Sequence, residues 1–205
     1  MKNLFIYGTR YFDVVKLGEA INREKPTWNI VGFIGKKRVP NLLGDYPYIG
    51  GKKLIKELVL DKNNYFFLNM TQAIKTADWL SKQGCQLATL VHPSIDLNYV
   101  EIDKGCMIPE GCVIGHKTKI GKFVTVRLQS IISHDVTIED HVFIGPGANI
   151  GGGAVLKRKC FIGQGAVVMG GRIVGENSIV GAGAVVTKDV LPGSVVAGIP
   201  ARPIK

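Results

Sequence analysis

The sequence has little that would mark a metalloprotein, a redox protein or a membrane protein. Its four cysteines, Cys85, Cys106, Cys112 and Cys160, show no CxxC spacing, so neither zinc-site nor dithiol chemistry is indicated. No uninterrupted apolar run approaches the roughly 18 residues of a membrane span. The apolar run in MKNLFIYGTRYFD is too short for the core of a secretory signal. Histidine is scarce, with only His92, His116, His134 and His141. Acidic residues are outnumbered, 16 Asp+Glu against 26 Lys+Arg, and the net charge of +10 suits phosphorylated or otherwise anionic ligands as well as nucleic acid. The expectation is a soluble cytoplasmic protein. With 205 residues, 46% of them hydrophobic, it can form one domain or two small ones.

What the chain does have is a period of six. From Ile102 to Val186, every sixth residue is a branched aliphatic, for example Ile132, Ile138, Ile144 and Ile150. Four residues after each comes a second series, Cys106, Cys112, Thr118, Val124, Ser130, Val136, Val142, Ala148, Ala154, Cys160, Ala166, Arg172, Ser178, Ala184 and Val190. Nearly all of these are small or β-branched, and Arg172 is the clear exception. Three cysteines thus sit where a small packing residue is wanted. A period of six fits neither the 3.6-residue helix nor strand alternation, so the chain must turn a corner once per repeat. Short strands with inward aliphatics and glycine-rich corners predict a parallel β-helix, with coils about 4.8 Å apart.

The pattern IGxGAx, at Ile150, Ile162 and Val180, resembles the hexapeptide-repeat acyltransferases. In that family three repeats make one triangular coil of a left-handed β-helix, an exception to the usual right-handed crossover. At eighteen residues per coil, one column of stacked positions reads Asn98, His116, His134, Gly152, Gly170, Lys188. A glycine next to His134 leaves room for the imidazole and leaves a backbone N–H open to a bound group. Acyl transfer needs that pairing: a base for the attacking amine or hydroxyl, and a donor for the oxyanion. Asp135 could orient the ring, although adjacent side chains on a strand point apart. His116 is the strongest competing base, and His116 and His141 read equally well as surface polar residues.

The stretch HPSI at His92, the run SHDVTIED around His134, the following GPGANIGGG and the closing AGIPARPIK make the chain similar to the PglD/NeuD-type sugar acetyltransferases over essentially its whole length. That resemblance implies His134 as general base, Asp135 as its assistant and the Gly152 amide as the group binding the acetyl carbonyl. It implies acetyl-CoA as co-substrate, with no metal, lying between adjacent subunits of a homotrimer. Contacts with it would come from the backbone around Gly163, Ala182, Ala184 and Gly198. Lys188, Arg202 and Lys205 would meet the phosphates at the adenosine end. Phe143 stands where many members carry a second active-site histidine, which makes the expected acetyl pocket more apolar and leaves the acid–base work to His134.

The first ninety residues follow other rules. LFIYG, WNIVGFIG and YFFLNM read as strands, and the segments from about Phe12 to Arg23 and TQAIKTADWLSKQG read as helices. Alternation of this kind predicts a small Rossmann-like parallel sheet. No full GxGxxG is present. Relatives use this domain to hold the nucleotide and sugar of the acceptor, with an acidic residue after the second strand. This chain has GTRYF from Gly8, with Thr9 and Arg10, and GFIGKKR with Lys36 instead, so the basic residues could meet a pyrophosphate while the nucleotide stays open.

The expectation is therefore residues 1–90 as a nucleotide-sugar-binding α/β domain and 91–205 as a left-handed β-helix acetyltransferase domain with a C-terminal tail. The activity implied is acetyl-CoA-dependent N-acetylation of a nucleotide-linked amino sugar, such as a 4-amino-4,6-dideoxyhexose destined for a bacterial surface glycan. No nucleic-acid partner and no membrane insertion are expected. The alternatives are a sialic acid-type O-acetyltransferase, a γ-type carbonic anhydrase and a non-catalytic nucleotide-sugar-binding protein. The anhydrase needs three histidines converging on zinc, two of them typically five apart, whereas His134 and His141 are seven apart.

Overall fold

The computed structural model describes residues 1–8, 13–35, 45–69 and 74–204. Contacts within the chain cluster in two compact units, Met1–Leu90 and Val91–Lys205.

The first unit is a five-stranded parallel sheet with helices. In chain order it runs β1 (Lys2–Tyr7), α1 (Asp13–Glu24), β2 (Trp28–Ile34), β3 (Tyr48–Gly50), a 3-10 turn (Lys52–Leu54) running into α2 (Ile55–Leu58), β4 (Asn64–Leu68), α3 (Ile74–Lys82) and β5 (Gln86–Leu87). The strand order β3-β2-β1-β4-β5 reverses direction between β1 and β4, which makes the carboxyl ends of those two strands the place where such sheets hold ligands. The apolar runs read as strands are buried as a parallel sheet requires: Leu4, Ile6, Phe33, Ile34 and Phe66 are essentially inaccessible. The α1 helix buries Val14, Val15, Leu17 and Ala20 on one face. Gly32, at φ 143, has a reason of its own. A Cβ there would lie 2.3 Å from the Pro47 carbonyl oxygen, where the chain returns to form β3. The three-residue β3 and the one-turn α2 escaped the sequence reading because neither is long enough to display a period.

The second unit is a three-sided parallel solenoid. Two-residue strands recur every six residues, and each pairs with the strand eighteen residues on. Thus Ile131–Ile132 pairs with Asn149–Ile150, Thr137–Ile138 with Val155–Leu156, and Phe143–Ile144 with Phe161–Ile162. Three sheets result, of five, five and eight strands. The final strand, Arg202–Pro203, is antiparallel to Val195–Ala197. The inward series behaves as the period requires. From Ile108 to Val186 every sixth aliphatic is buried, with only Ile102 partly so. Removing one such side chain, as in Ile150→Ala, would cost about 2–5 kcal/mol through lost transfer energy and the cavity left behind.

The second series is buried as well, apart from the flagged Arg172, which turns outward with Nη1 3.7 Å from Asp189. Its polar members also work on the corners. Cys106 Sγ, Thr118 Oγ1 and Ser130 Oγ donate to the carbonyls of Gly121, Ser133 and Gly145, at 3.0, 2.9 and 3.0 Å. A further periodic series sits at the corners themselves. Every sixth residue from Gly105 to Gly183 has positive φ, including Lys117 (57°), Asp135 (56°), His141 (61°) and Gly153 (69°). Left-handed geometry costs a non-glycine residue about 1–2 kcal/mol. Most of these corners offset this with a hydrogen bond to the coil before, such as Asp135 N–H to the His116 carbonyl at 3.0 Å.

Candidate active site

His134 lies at the corner between Ile131–Ile132 and Thr137–Ile138. The expectation that His134 and Asp135 point apart holds for strand residues, but Asp135 is the left-handed corner residue. Its φ of 56° swings the carboxylate back alongside the ring. Nδ1 of His134 and Oδ2 of Asp135 are 2.8 Å apart. The hydrogen bond from His134, helped by the fields of Lys117 and the two histidines, holds the Asp135 carboxyl below the usual carboxylate value against opposing desolvation. An ionised carboxylate can only accept, so in the neutral ring Nδ1 carries the proton and Nε2 keeps the lone pair. The two side chains remain 58% and 48% exposed, so the pair is open to a ligand.

Nε2 faces Gly152. A Cβ built at that position would lie 2.9 Å from both Cε1 and Nε2 of His134, so only glycine leaves the imidazole where it is. The Gly152 carbonyl accepts from the Gly171 N–H at 2.9 Å, and the Gly153 N–H donates to the His134 carbonyl at 3.0 Å. Among the described residues the Gly152 N–H itself has no acceptor. A ring nitrogen with a lone pair thus faces the glycine that bears an uncommitted amide. On the other side of the ring lies His116, stacked at 5.5 Å between centroids and 17° between planes. The corner is held from within by Thr118, whose buried hydroxyl donates to the carbonyl of Ser133. Sequence reading saw Thr118 only as a packing residue; its place in the small-residue series was the available signal.

The other histidines are elsewhere. His141 is only 7% exposed and stacks on Phe123 at 5.1 Å, so it is not the surface residue expected of it. Its buried position is that of the left-handed residue at a different corner. His92 is tied up locally: its Nδ1 accepts from the Ser94 N–H at 3.2 Å and lies 2.8 Å from the Ser94 hydroxyl oxygen. Among the described residues no group of three or more His, Cys, Asp or Glu could hold a metal ion. The four cysteines are buried and form no disulfide, with the Cys106 and Cys160 thiols pushed up to about 12 by burial.

The residues assigned to the coenzyme fall on two corners. Lys188 is exposed in the His134 column, three coils on, or about 14 Å along the solenoid. Gly163, Ala182 and Gly198 lie along the corner that follows the Phe143–Phe161–Ile179 side. Of these, Ala182 is exposed and, among the described residues, its N–H has no acceptor. Gly198 is exposed, with its carbonyl accepting from the Val185 N–H at 3.0 Å.

Gly163 and Ala184 depart from the expectation of open backbone contacts. Both are buried, and the amide and carbonyl of each are bonded within the solenoid. Gly163 donates to Val180 and accepts from Ala166, and Ala184 donates to Gly181 and accepts from Val167. Phe143 stacks on Phe161 at 4.8 Å, on the one side that does not meet at the His134 corner, so a single chain does not bring Phe143 and His134 together. Arg202 is exposed, with Nη1 3.0 Å from the Ala201 carbonyl oxygen. Lys205 lies outside the described residues.

In the first unit, Gly8 follows β1 at the reversal point, φ 105°, and donates to the Ile34 carbonyl at 2.9 Å. Near it Tyr7 and Trp79 have ring centroids 6.4 Å apart, and the Lys52 ammonium stands 3.8 Å over the Trp79 ring. That aromatic and cationic group was missed because its members come from three separate elements. Thr9, Arg10 and Lys36 lie outside the described residues.

Comparison with known proteins accords with this architecture. Residues 153–188 match the bacterial transferase hexapeptide family, described by six repeats. A stretch of 75 residues is 38% identical to GDP-perosamine N-acetyltransferase of Escherichia coli O157:H7. It makes up 36% of this chain and 34% of that protein, so the match spans about a third of the relative's length. Among solved structures, a histidine-to-alanine variant of GDP-perosamine N-acetyltransferase from Caulobacter crescentus, in complex with CoA and GDP-perosamine, superposes with TM-score 0.88. It is 21% identical, over 100% of this chain and 98% of that one. The acetyltransferase domain of PglB from Neisseria gonorrhoeae FA1090 gives TM-score 0.90 at 24% identity over all of both chains. WeeI from Acinetobacter baumannii AYE gives 0.83 at 26%, again over all of both chains. The second unit thus has a left-handed parallel β-helix fold like that of the hexapeptide-repeat transferases, preceded by a small Rossmann-like sheet. The three solved structures above match this chain over both parts.

Proposed function

We propose that the protein is an acetyl-CoA-dependent N-acetyltransferase acting on a nucleotide-linked amino sugar of the 4-amino-4,6-dideoxyhexose class. The observation that carries this reading is the His134 Nε2 lone pair, set by the bond from Nδ1 to Asp135 and aimed at the bare amide of Gly152. The names of the E. coli and C. crescentus relatives, both GDP-perosamine N-acetyltransferases, support an amine acceptor.

In the reaction the sugar amine attacks the thioester carbonyl while His134 Nε2 removes a proton from the nitrogen. The Gly152 N–H donates to the carbonyl oxygen as it becomes an oxyanion. Collapse forms the amide, breaks the C–S bond and expels the CoA thiolate, and the proton held on the imidazolium passes to the sulfur. Asp135 keeps the ring in the basic tautomer and offsets its charge while it is protonated.

The apolar outward positions of two sides of the solenoid support a homotrimer. On one side stand Val113, Ile131, Val167 and Val185, and on another Phe143, Phe161 and Ile179. Packing such sides around a three-fold axis would cover them in a closed assembly. It would also give the two candidate coenzyme corners, which one chain holds apart, a way to meet. Residues 1–90 would hold the nucleotide of the acceptor at the β1/β4 reversal, beside Gly8, Tyr7 and Trp79. The need for acetyl-CoA and a nucleotide sugar supports a cytoplasmic location.

The test is thiol release from acetyl-CoA in the presence of GDP-, UDP- and dTDP-linked 4-amino-4,6-dideoxyhexoses, with mass detection of the acetylated product. An amide product from one of them supports the proposal. Acetylation confined to hydroxyl acceptors, or thiol release with none, overturns it.

A further inference from the structure

The described residues offer few uncommitted groups beyond the His134 corner. The buried cysteines face inward, and the open groove along Glu101 and Lys119 is lined by their own solvent-exposed ion pair at 3.3 Å. His116 is different. It is exposed, it is one coil from His134 in the same column, and its ring lies nearly parallel to the imidazole at 5.5 Å. Its backbone carbonyl accepts the Asp135 N–H at 3.0 Å, so the same residue helps fix the corner that aims the carboxylate.

We propose that His116 is a positioning residue: its ring is the platform on which the His134 imidazole rests, holding the rotamer in which Nδ1 meets Asp135 and Nε2 faces Gly152. The proposal deepens the acetyltransfer reading and, as far as catalysis is concerned, rests on it. Without such a platform a half-exposed histidine would sample several rotamers, because Gly152 on the other side offers the ring no side chain to lean on. The glycine that opens the reaction space therefore requires support from beneath.

A flat ring suffices for this role, and a titratable one is not needed. The charged groups around the pair are Asp135 and Lys117, with the two imidazoles facing each other. A phenyl ring at position 116 would keep the platform.

The experiment compares His116→Ala with His116→Phe in the full-length protein, by steady-state kinetics and by 15N NMR of the His134 ring. His116→Ala is expected to lower kcat by about threefold to tenfold, the range a single aromatic stack corresponds to, with both KM values within twofold. Its NMR spectrum should lose the fixed Nδ1–H tautomer of His134. His116→Phe is expected to recover most of the kcat and the tautomer. If both variants lose activity alike by a hundredfold or more, His116 is itself an acid–base group and the proposal is wrong. If His116→Ala leaves the His134 tautomer fixed, the platform does not exist. That NMR outcome needs no substrate, so it separates failure of this inference from failure of the acetyltransferase assignment. A variant that loses melting temperature while keeping the tautomer also counts against it, since that is a structural role alone.

Discussion

Gly152→Ala is the sharpest perturbation of the site. The added Cβ would stand 2.9 Å from Cε1 and Nε2 of His134 and 3.4 Å from Cδ2. Carbon atoms in contact settle at about 3.5–4.0 Å, so the ring must recede by about 0.6–1.1 Å. The obstructing atoms are the far end of a half-exposed side chain, and Gly152 is not among the glycines with positive φ, so the backbone accepts alanine. Stability should therefore change by less than about 1 kcal/mol. Activity should suffer far more, since a misplacement near 1 Å costs about 10²-fold, or about 2.7 kcal/mol of transition-state stabilisation. The neighbouring Gly153 is the control. At φ 69° with nothing within 4 Å of a built Cβ, Gly153→Ala should cost about 1–2 kcal/mol of stability while the folded protein keeps its kcat. Initial rates of thiol release and thermal melts followed by circular dichroism read both quantities. A Gly152→Ala protein with kcat within threefold of the parent would refute the placement of the reacting atoms between His134 and Gly152.

The remaining expectations are briefer. His134→Ala and His134→Asn should lower kcat by about 10²–10⁴ with coenzyme affinity nearly intact, and Asp135→Asn should fall between these and His116→Ala; a different ranking of kcat would move the base assignment. Because the Asp135 carboxyl is held below its ordinary value, its bond to His134 is present above that range and is lost only as pH falls through the lowered value. An inflection of the pH–rate profile above the ordinary carboxylate range should accordingly not belong to Asp135 and should survive in Asp135→Asn. Cys106 and Cys160, buried and pushed up to about 12, should resist a thiol reagent at pH 8 in the native protein and react fully on unfolding; rapid native reaction would contradict their packing. Arg202→Ala should raise the KM for acetyl-CoA, more so at low salt, and an unmoved KM at both salt levels would make this arginine a solvated tail residue.

The solenoid was legible because one physical requirement, an apolar residue facing inward once per side, repeats without interruption from Ile108 to Val186. The same arithmetic put His134 beside Gly152, since residues eighteen apart must stack when strands pair coil on coil. What it could not give was the direction of Asp135. Treating residues 134 and 135 as strand neighbours sends their side chains to opposite faces, whereas the corner places the second of them in the left-handed region and turns it back. The clue was in the sequence: glycines at 105, 111, 147, 153, 165, 171 and 183 keep the same period of six and mark the positions that demand positive φ, and Asp135 falls in that series. Reading glycine as spacing found the fold; reading it as geometry would have found the dyad.

The coenzyme residues show the opposite limit. Gly163 and Ala184 came from resemblance, and their own surroundings commit their amides and carbonyls to the solenoid, which no one-dimensional pattern could reveal. Phe143 and His134 are nine residues apart and half a coil around, so a triangular cross-section forces them to different sides whatever their roles. If both serve one acetyl pocket, the pocket must take Phe143 from one subunit and His134 from another. Catalysis and trimer formation are then a single property of this chain.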